Sequence, residues 1–271
     1  MIPARTSALD RGRTLVRSPS VSAKWGLRAA SLGAFLLVWE TLGRSMNSLL
    51  LPTAGETAAA LFRLVETSEL WQAMWRSNQA MLAGYLAALA IGVPLGLAAG
   101  RWRRVEQPLD LYLNFLLVTP ISAMIPIFIM SLGLGLGARS TVVLVFSLAV
   151  VAVNTRAGLK SIDPSVVEMA RAFCASEMQM WAKVLLPGAL AGVMAGARLG
   201  LARAISGMVA VELLLVSVGF GRLLLRYQAD FEAGSVYAVI LVVVTEAVVL
   251  SAGLRRLEKR WNPSATEANP R

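Results

Sequence analysis

Two arginines and two glutamates, Arg198, Arg203, Glu212 and Glu246, lie inside long apolar stretches of this 271-residue chain. A charge at bilayer depth is expensive, so such residues pair with one another, line a watery route or mark a site. A guanidinium facing a route, Arg203 first, can attract an anion. The alternatives are a pair with a carboxylate of another helix, or a side chain that reaches back to the headgroups. Glu212 sits awkwardly beside an anion route and can instead hold a structural hydrogen bond. Asn154 offers a further hydrogen-bonding group within another apolar stretch.

Covalent and metal chemistry are excluded by composition. There is no histidine and one cysteine, Cys174. A disulfide framework, a Cys/His zinc site and a Ser-His or Cys-His nucleophile pair are therefore ruled out. No aspartate lies within an apolar stretch, so an intramembrane paired-carboxylate enzyme lacks its groups. No Rossmann fingerprint or P-loop occurs, and Gly133, Gly135 and Gly137 lack the lysine and preceding strand that phosphate binding needs. The chain does not hydrolyse nucleotide by itself, and no cofactor is expected.

The elements that must position these groups are membrane spans. The chain is 56% hydrophobic and 15% charged, with a mean hydropathy of +0.64, whereas soluble domains carry about 25% charged residues. A span takes about 20 apolar residues. Six stretches qualify, at about residues 27–43, 79–100, 111–132, 140–159, 187–216 and 236–254. Eighteen of the 26 Lys and Arg fall in the N-terminal region, in the segments after the second and fourth stretches, and at the C-terminal end. Six (Arg44, Arg63, Arg76, Arg139, Arg222 and Arg226) fall in the alternate segments. This alternation is the positive-inside pattern. It puts both termini in the cytoplasm, in a cell inner (plasma) membrane, and explains the net charge of +10 by anionic lipid rather than nucleic acid. Residues 1–24 read as a disordered basic cytoplasmic tail, 25–261 as the membrane domain and 262–271 as a second cytoplasmic tail. The first apolar stretch is long for a cleaved signal peptide, and no small-residue cleavage site follows it.

The segment at about 160–186 is longer than a simple helix connection and carries its own helix signals. Asp163-Pro164 places an N-cap acid before a proline at the first helical position. Ser176 and Gln179 have the spacing of a capping box. Two short helices are expected, at 164–173 and 177–185, with Leu186-Pro187 ending the second and opening the fifth span. The pair either lies in the headgroup region or docks a cytosolic partner.

Glu168-Met169-Ala170, Cys174 and Leu185-Leu186-Pro187, followed by a glycine-rich apolar stretch, resemble the EAA loop of ABC importer permeases. Glu168 and Ala170 match, Met169 replaces the first alanine, and Cys174 stands where that family has glycine. The family glycine sits at a turn where positive φ is expected, so a cysteine there is strained or the turn differs. Further segments resemble the nitrate/sulfonate/taurine branch: Leu51-Pro52-Thr53, Pro120 to Pro126, Asn154-Thr155 with Asp163-Pro164, and Val209 to Glu212. The resemblance covers about residues 51–261. It implies an all-α membrane fold, type I ABC importer permease-like, of about six spans with a coupling-helix loop. It also implies coupling through Glu168, Met169, Ala170, Cys174, Leu186 and Pro187 to ABC ATPase subunits. A periplasmic or lipid-anchored solute-binding protein and a second permease copy, as in a homodimer, complete the implied assembly. The implied cargo is a small anion such as a sulfonate, taurine or nitrate; some look-alikes carry pyrimidines or vitamin-like compounds.

Two patterns bear on the route itself. Gly188, Gly192, Gly196 and Gly200 make a strict i+4 stripe, as do Gly92, Gly96 and Gly100, which permits close helix approach within one subunit or at a sliding subunit interface. Pro120 and Pro126 interrupt the third stretch. Backbone groups they free must face protein or water, so the segment lines the route or is simply kinked. The rival reading is an ATP-independent six-span secondary transporter or channel. It predicts inverted repeats and an ion relay, and neither is evident.

Overall fold

The computed structural model describes residues 21–45, 51–214 and 218–261, the side chains of 21–24 and 260–261 excepted. The expected tails up to residue 20 and at 262–271, and the end of the fifth stretch at Val216, lie outside these. Every regular element among the described residues is helical: α1 (Val21–Ser45), α2 (Ala54–Glu66), α3 (Ser68–Arg101), α4 (Arg103–Val118), α5 (Ile121–Leu132), α6 (Leu136–Lys160), α7 (Pro164–Ala172), α8 (Glu177–Met180), a π turn (Trp181–Leu185), α9 (Leu186–Leu214), α10 (Gly219–Ala229) and α11 (Ala233–Trp261).

The chain divides into two compact units, residues 1–55 and 56–271. In the first, the Glu40 carboxylate accepts from the Ala54 and Gly55 N–H groups at 3.0 and 3.4 Å. The Trp39 indole N–H donates to the Pro52 carbonyl at 3.0 Å. This unit holds the first expected span. Its helix is not among the four long and apolar enough to cross a membrane, which are α3, α6, the run Glu177–Leu214 and α11. Arg28, Glu40 and Arg44 break its apolar run.

In the second unit α6 is the central post. α3 packs on one side through Gly84, Gly92, Gly96 and Gly100, and α9 on another through its own stripe. Lipid gives no hydrophobic drive for helix association, so close van der Waals fit must supply it. Along the α6–α9 seam the approach is tightest where Gly192 of α9 meets Gly158 of α6: a Cβ on Gly192 would stand 2.8 Å from the Gly158 nitrogen and 2.7 Å from the Asn154 carbonyl oxygen. Gly196 and Gly200 fit against Val151, and Gly188 against the end of Ile162. The Tyr85 hydroxyl donates to the Ala197 carbonyl at 2.8 Å and ties α3 to α9. Met81, Tyr85, Val143, Ala204, Met208, Phe220 and Leu223 belong to the largest buried cluster.

The third expected span is broken into two helices, α4 and α5, bent by 101°. Pro120 has no N–H to continue α4, and its ring pushes Thr119 into extended backbone, ψ 131°. Pro126 is tolerated inside α5, as Pro94 is inside α3. α4 lies on α6 through Leu113, Ala149 and Ala152. Arg156 and Lys160 of α6 form ion pairs with Glu106 and Asp110 of α4.

Candidate functional site

The loop between α6 and α9 is built by its caps. Asp163 Oδ1 accepts from the Ser165 N–H at 2.8 Å, with Pro164 at the first helical position. That backbone hydrogen bond holds the Asp163 carboxyl below its ordinary range. α7 ends in a Schellman turn: the Ala175 N–H donates to the Ala170 carbonyl at 3.0 Å, and the Cys174 N–H to that of Arg171 at 2.8 Å. Cys174 is the left-handed residue of this turn, at φ 55°. The family glycine position is thus occupied by an exposed cysteine that keeps the glycine conformation. An L-residue in this region costs roughly 1–2 kcal/mol, and glycine is free of that strain but loses more chain entropy on folding. Cys174→Gly should therefore stabilise the protein by about 1 kcal/mol, read as a raised thermal midpoint in detergent.

The capping box then starts α8. The Gln179 N–H donates to Ser176 Oγ, and the Ser176 N–H to Gln179 Oε1. Leu186-Pro187 does not end this helix, contrary to the sequence expectation. α8 passes through the π turn into α9 as one run, Glu177–Leu214, of 38 residues. The Leu186 N–H donates to Trp181, five residues back. The wider turn accommodates Pro187, which cannot donate and would crowd an ordinary α turn.

α7 has two faces. Val167 and Ala170 pack inward on Leu159, Met180, Leu185 and Ala189. Val166, Met169 and Phe173 point outward at helical spacing, and Met178 joins them; Phe173 is 81% and Met178 83% exposed. Glu168, Leu186 and Pro187 are exposed and Ala170 is half-buried. Glu168 lines a cavity of about 270 Å³ with Arg101, Lys160 and Arg171. The loop is fastened to the end of α3 by the Arg101–Glu177 pair at 3.2 Å and by the Trp102 and Trp181 rings, 6.0 Å between centroids.

The deep charged residues divide sharply. Arg198 pairs with Glu258 of α11 at 3.1 Å, so it takes the structural alternative. Glu246 accepts from the Asn78 amide of α3. Glu212, expected as a route candidate, is fully buried. It accepts from the Ser77 hydroxyl at 2.9 Å and the Gly221 N–H at 3.1 Å, and stands 3.7 Å from Arg139. Ser77 Oγ accepts in turn from the Phe220 N–H at 3.0 Å, and Arg139 donates to the Arg76 carbonyl. This cluster joins α3, α6, α9 and α10. Sequence reasoning missed Ser77 and Arg139, for neither carries a local signal of its partner. Asn154 donates back to the Val150 carbonyl at 2.8 Å in the α6–α9 seam, with its Cβ facing Gly196. Arg203 is exposed and belongs to none of the ion pairs among the described residues. It lines a cavity of about 200 Å³ at the α4–α5 break, with Thr119, Pro120, Ser122 and Phe146. Pro126 is also exposed but does not line this cavity.

Comparison with known proteins agrees with this architecture. The family described as binding-protein-dependent transport system inner membrane component matches residues 92–263. The taurine transport system permease protein TauC of Escherichia coli is 28% identical over 88% of this chain and 89% of its own length. The putative aliphatic sulfonates transport permease protein SsuC of Bacillus subtilis is 26% identical over 83% and 82%. The riboflavin transport system permease protein RibX of Chloroflexus aurantiacus is 29% identical over 84% and 88%. In three dimensions, a chain of the MetNI methionine ABC transporter in an inward-facing conformation matches with a TM-score of 0.63 at 21% identity, over 71% of this chain and 96% of that one. Since the family match alone spans well over half of the residues, this multi-pass chain belongs to the inner membrane components of binding-protein-dependent transport systems, the ABC transporter permeases.

Proposed function

We propose that this chain is the permease subunit of an ATP-driven importer for a small anion, with the α7–α8 loop as the handle of a separate ATPase. The observation that carries this reading is the exposed apolar row of Val166, Met169, Phe173 and Met178 beside Glu168, on a loop continuous with a span. Such a row, rimmed by charge, suits a protein groove better than water. ATP binding closes the ATPase pair, the gripped loop moves, and α9 carries the motion into the bundle. The permease supplies the two-state element that both partners bias. Two copies form the route, both termini face the cytoplasm, and a solute-binding protein delivers cargo from outside. The taurine and sulfonate relatives favour a sulfonate-like anion as that cargo.

The test is co-purification. Tagged wild-type chain, co-expressed with candidate ABC ATPases, should retain one of them through detergent extraction. Phe173→Asp should weaken that association by about 30-fold, a hot-spot loss of about 2 kcal/mol, with the thermal midpoint unchanged. Uptake by the chain in vesicles lacking any ATPase would overturn the reading in favour of a secondary transporter.

A further inference from the structure

We propose that Arg203 and the cavity at the α4–α5 break form the station where the permease holds the anionic group of its solute. This rests on the permease reading and adds to it a binding site and a ligand class. The argument begins from cost. Arg203 stands about 26 Å along α9 from Leu186 and about 17 Å from Leu214, at 1.5 Å per residue. A guanidinium at such depth must be compensated by a carboxylate, by water or by a visiting anion.

Other deep charges have their compensation within the fold. Arg198 has Glu258 and Glu246 has Asn78, while Glu212 has Arg139 and Ser77. Arg203 has no ion-pair partner among the described residues, although it lies only five positions from Arg198 on the same helix. It faces a cavity of about 200 Å³ instead.

That cavity exists because Pro120 breaks the third span. The break sets Thr119 and Ser122, two hydroxyl residues, in its lining together with the apolar Phe146, Ala149 and Val150 of α6. A guanidinium fork can engage two oxygens of a carboxylate or sulfonate at once. Hydroxyl groups add hydrogen bonds, and the apolar wall accepts a short carbon chain. The ligand class is a small organic monoanion, met end-on by its charged group. Pro120, Ser122 and Arg203 are exposed at the site, as suits a group that must release its cargo.

The experiment uses the full-length chain in nanodiscs of phosphatidylcholine, with ethanesulfonate as the probe and saturation-transfer NMR as the readout. Wild type should bind the probe. Arg203→Gln should weaken binding at least tenfold with an unchanged thermal midpoint, and Arg203→Lys should retain part of it. Arg198→Gln, which breaks a structural pair, should leave probe affinity alone. Equal binding by wild type and Arg203→Gln, or none by wild type, overturns the station. Loss of probe binding in nanodiscs containing phosphatidylglycerol would assign the site to a lipid headgroup and overturn it too. None of these results bears on retention of an ATPase by the loop, so the station can fail while the permease reading stands.

Discussion

Glu212→Leu is expected to destabilise the protein by about 3–5 kcal/mol, because it leaves the Arg139 guanidinium buried without its counter-charge. The side chain of Arg139 is 9% exposed and that of Glu212 is not exposed at all, so water cannot replace the lost partner. The Ser77 hydroxyl and the Gly221 N–H lose their acceptor in the same step, and an unmet buried donor costs about 1–3 kcal/mol. Glu212→Gln should cost less, since an amide oxygen still accepts from those donors. The decisive comparison is the pair of Glu212→Leu with Arg139→Leu. If the ion pair is the issue, the double variant should be more stable than Glu212→Leu alone, as thermal unfolding in detergent would show. Equal stability of the two would place the weight on the Ser77 and Gly221 hydrogen bonds instead.

Gly192→Val should cost about 3 kcal/mol, near the top of the overpacking range. The atoms a Cβ would meet there are backbone, the Gly158 nitrogen and the Asn154 carbonyl oxygen. Neither can rotate away, so α6 and α9 must separate along a seam that close fit alone maintains. Gly188→Val, one turn earlier on the same stripe, is the comparison. Its new atoms meet the outer end of the Ile162 side chain, which can change rotamer, so it should cost well under half as much. Thermal midpoints of the two variants in one detergent test the ordering. If Gly188→Val proved the worse, Gly192 would not be the tight point of the α9 stripe.

The parts of this molecule that were legible in its sequence are those with short-range signatures. Asp163-Pro164 and the Ser176–Gln179 spacing announced two helix starts, and both caps are formed. The glycine periodicity announced a smooth helix face, although not which helix it meets. The charge of Arg198 and Arg203 announced two alternatives, and sequence alone could not divide them, because Glu258 lies 60 positions from Arg198. Arg139 and Glu212 were opaque for the same reason. Arg139 reads as a loop cation between two apolar stretches, yet it occupies the first turn of α6 and points into the core. The interruption expected at Pro120 is present as a full break, whereas the helix end expected at Leu186-Pro187 is not. Pro120 ends a helix outright because Thr119 before it has left the helical region, whereas Pro187 is absorbed by a π turn upstream. A proline's local chemistry states the problem and leaves the choice among solutions to the surrounding packing.

That π turn has a consequence for the angular phase of the whole loop. A residue advances an α-helix by about 100°, and a π turn takes in one residue more than an α turn. Trp181–Leu185 therefore act as a clock setting between two hands: the bearing of the α8 cap on one side and the bearing of the Gly188–Gly200 row on the other. Removing one residue there would let the run close as ordinary α-helix with that row still near its seat on α6, whereas winding the same five residues as α-helix would swing the row by about 100°.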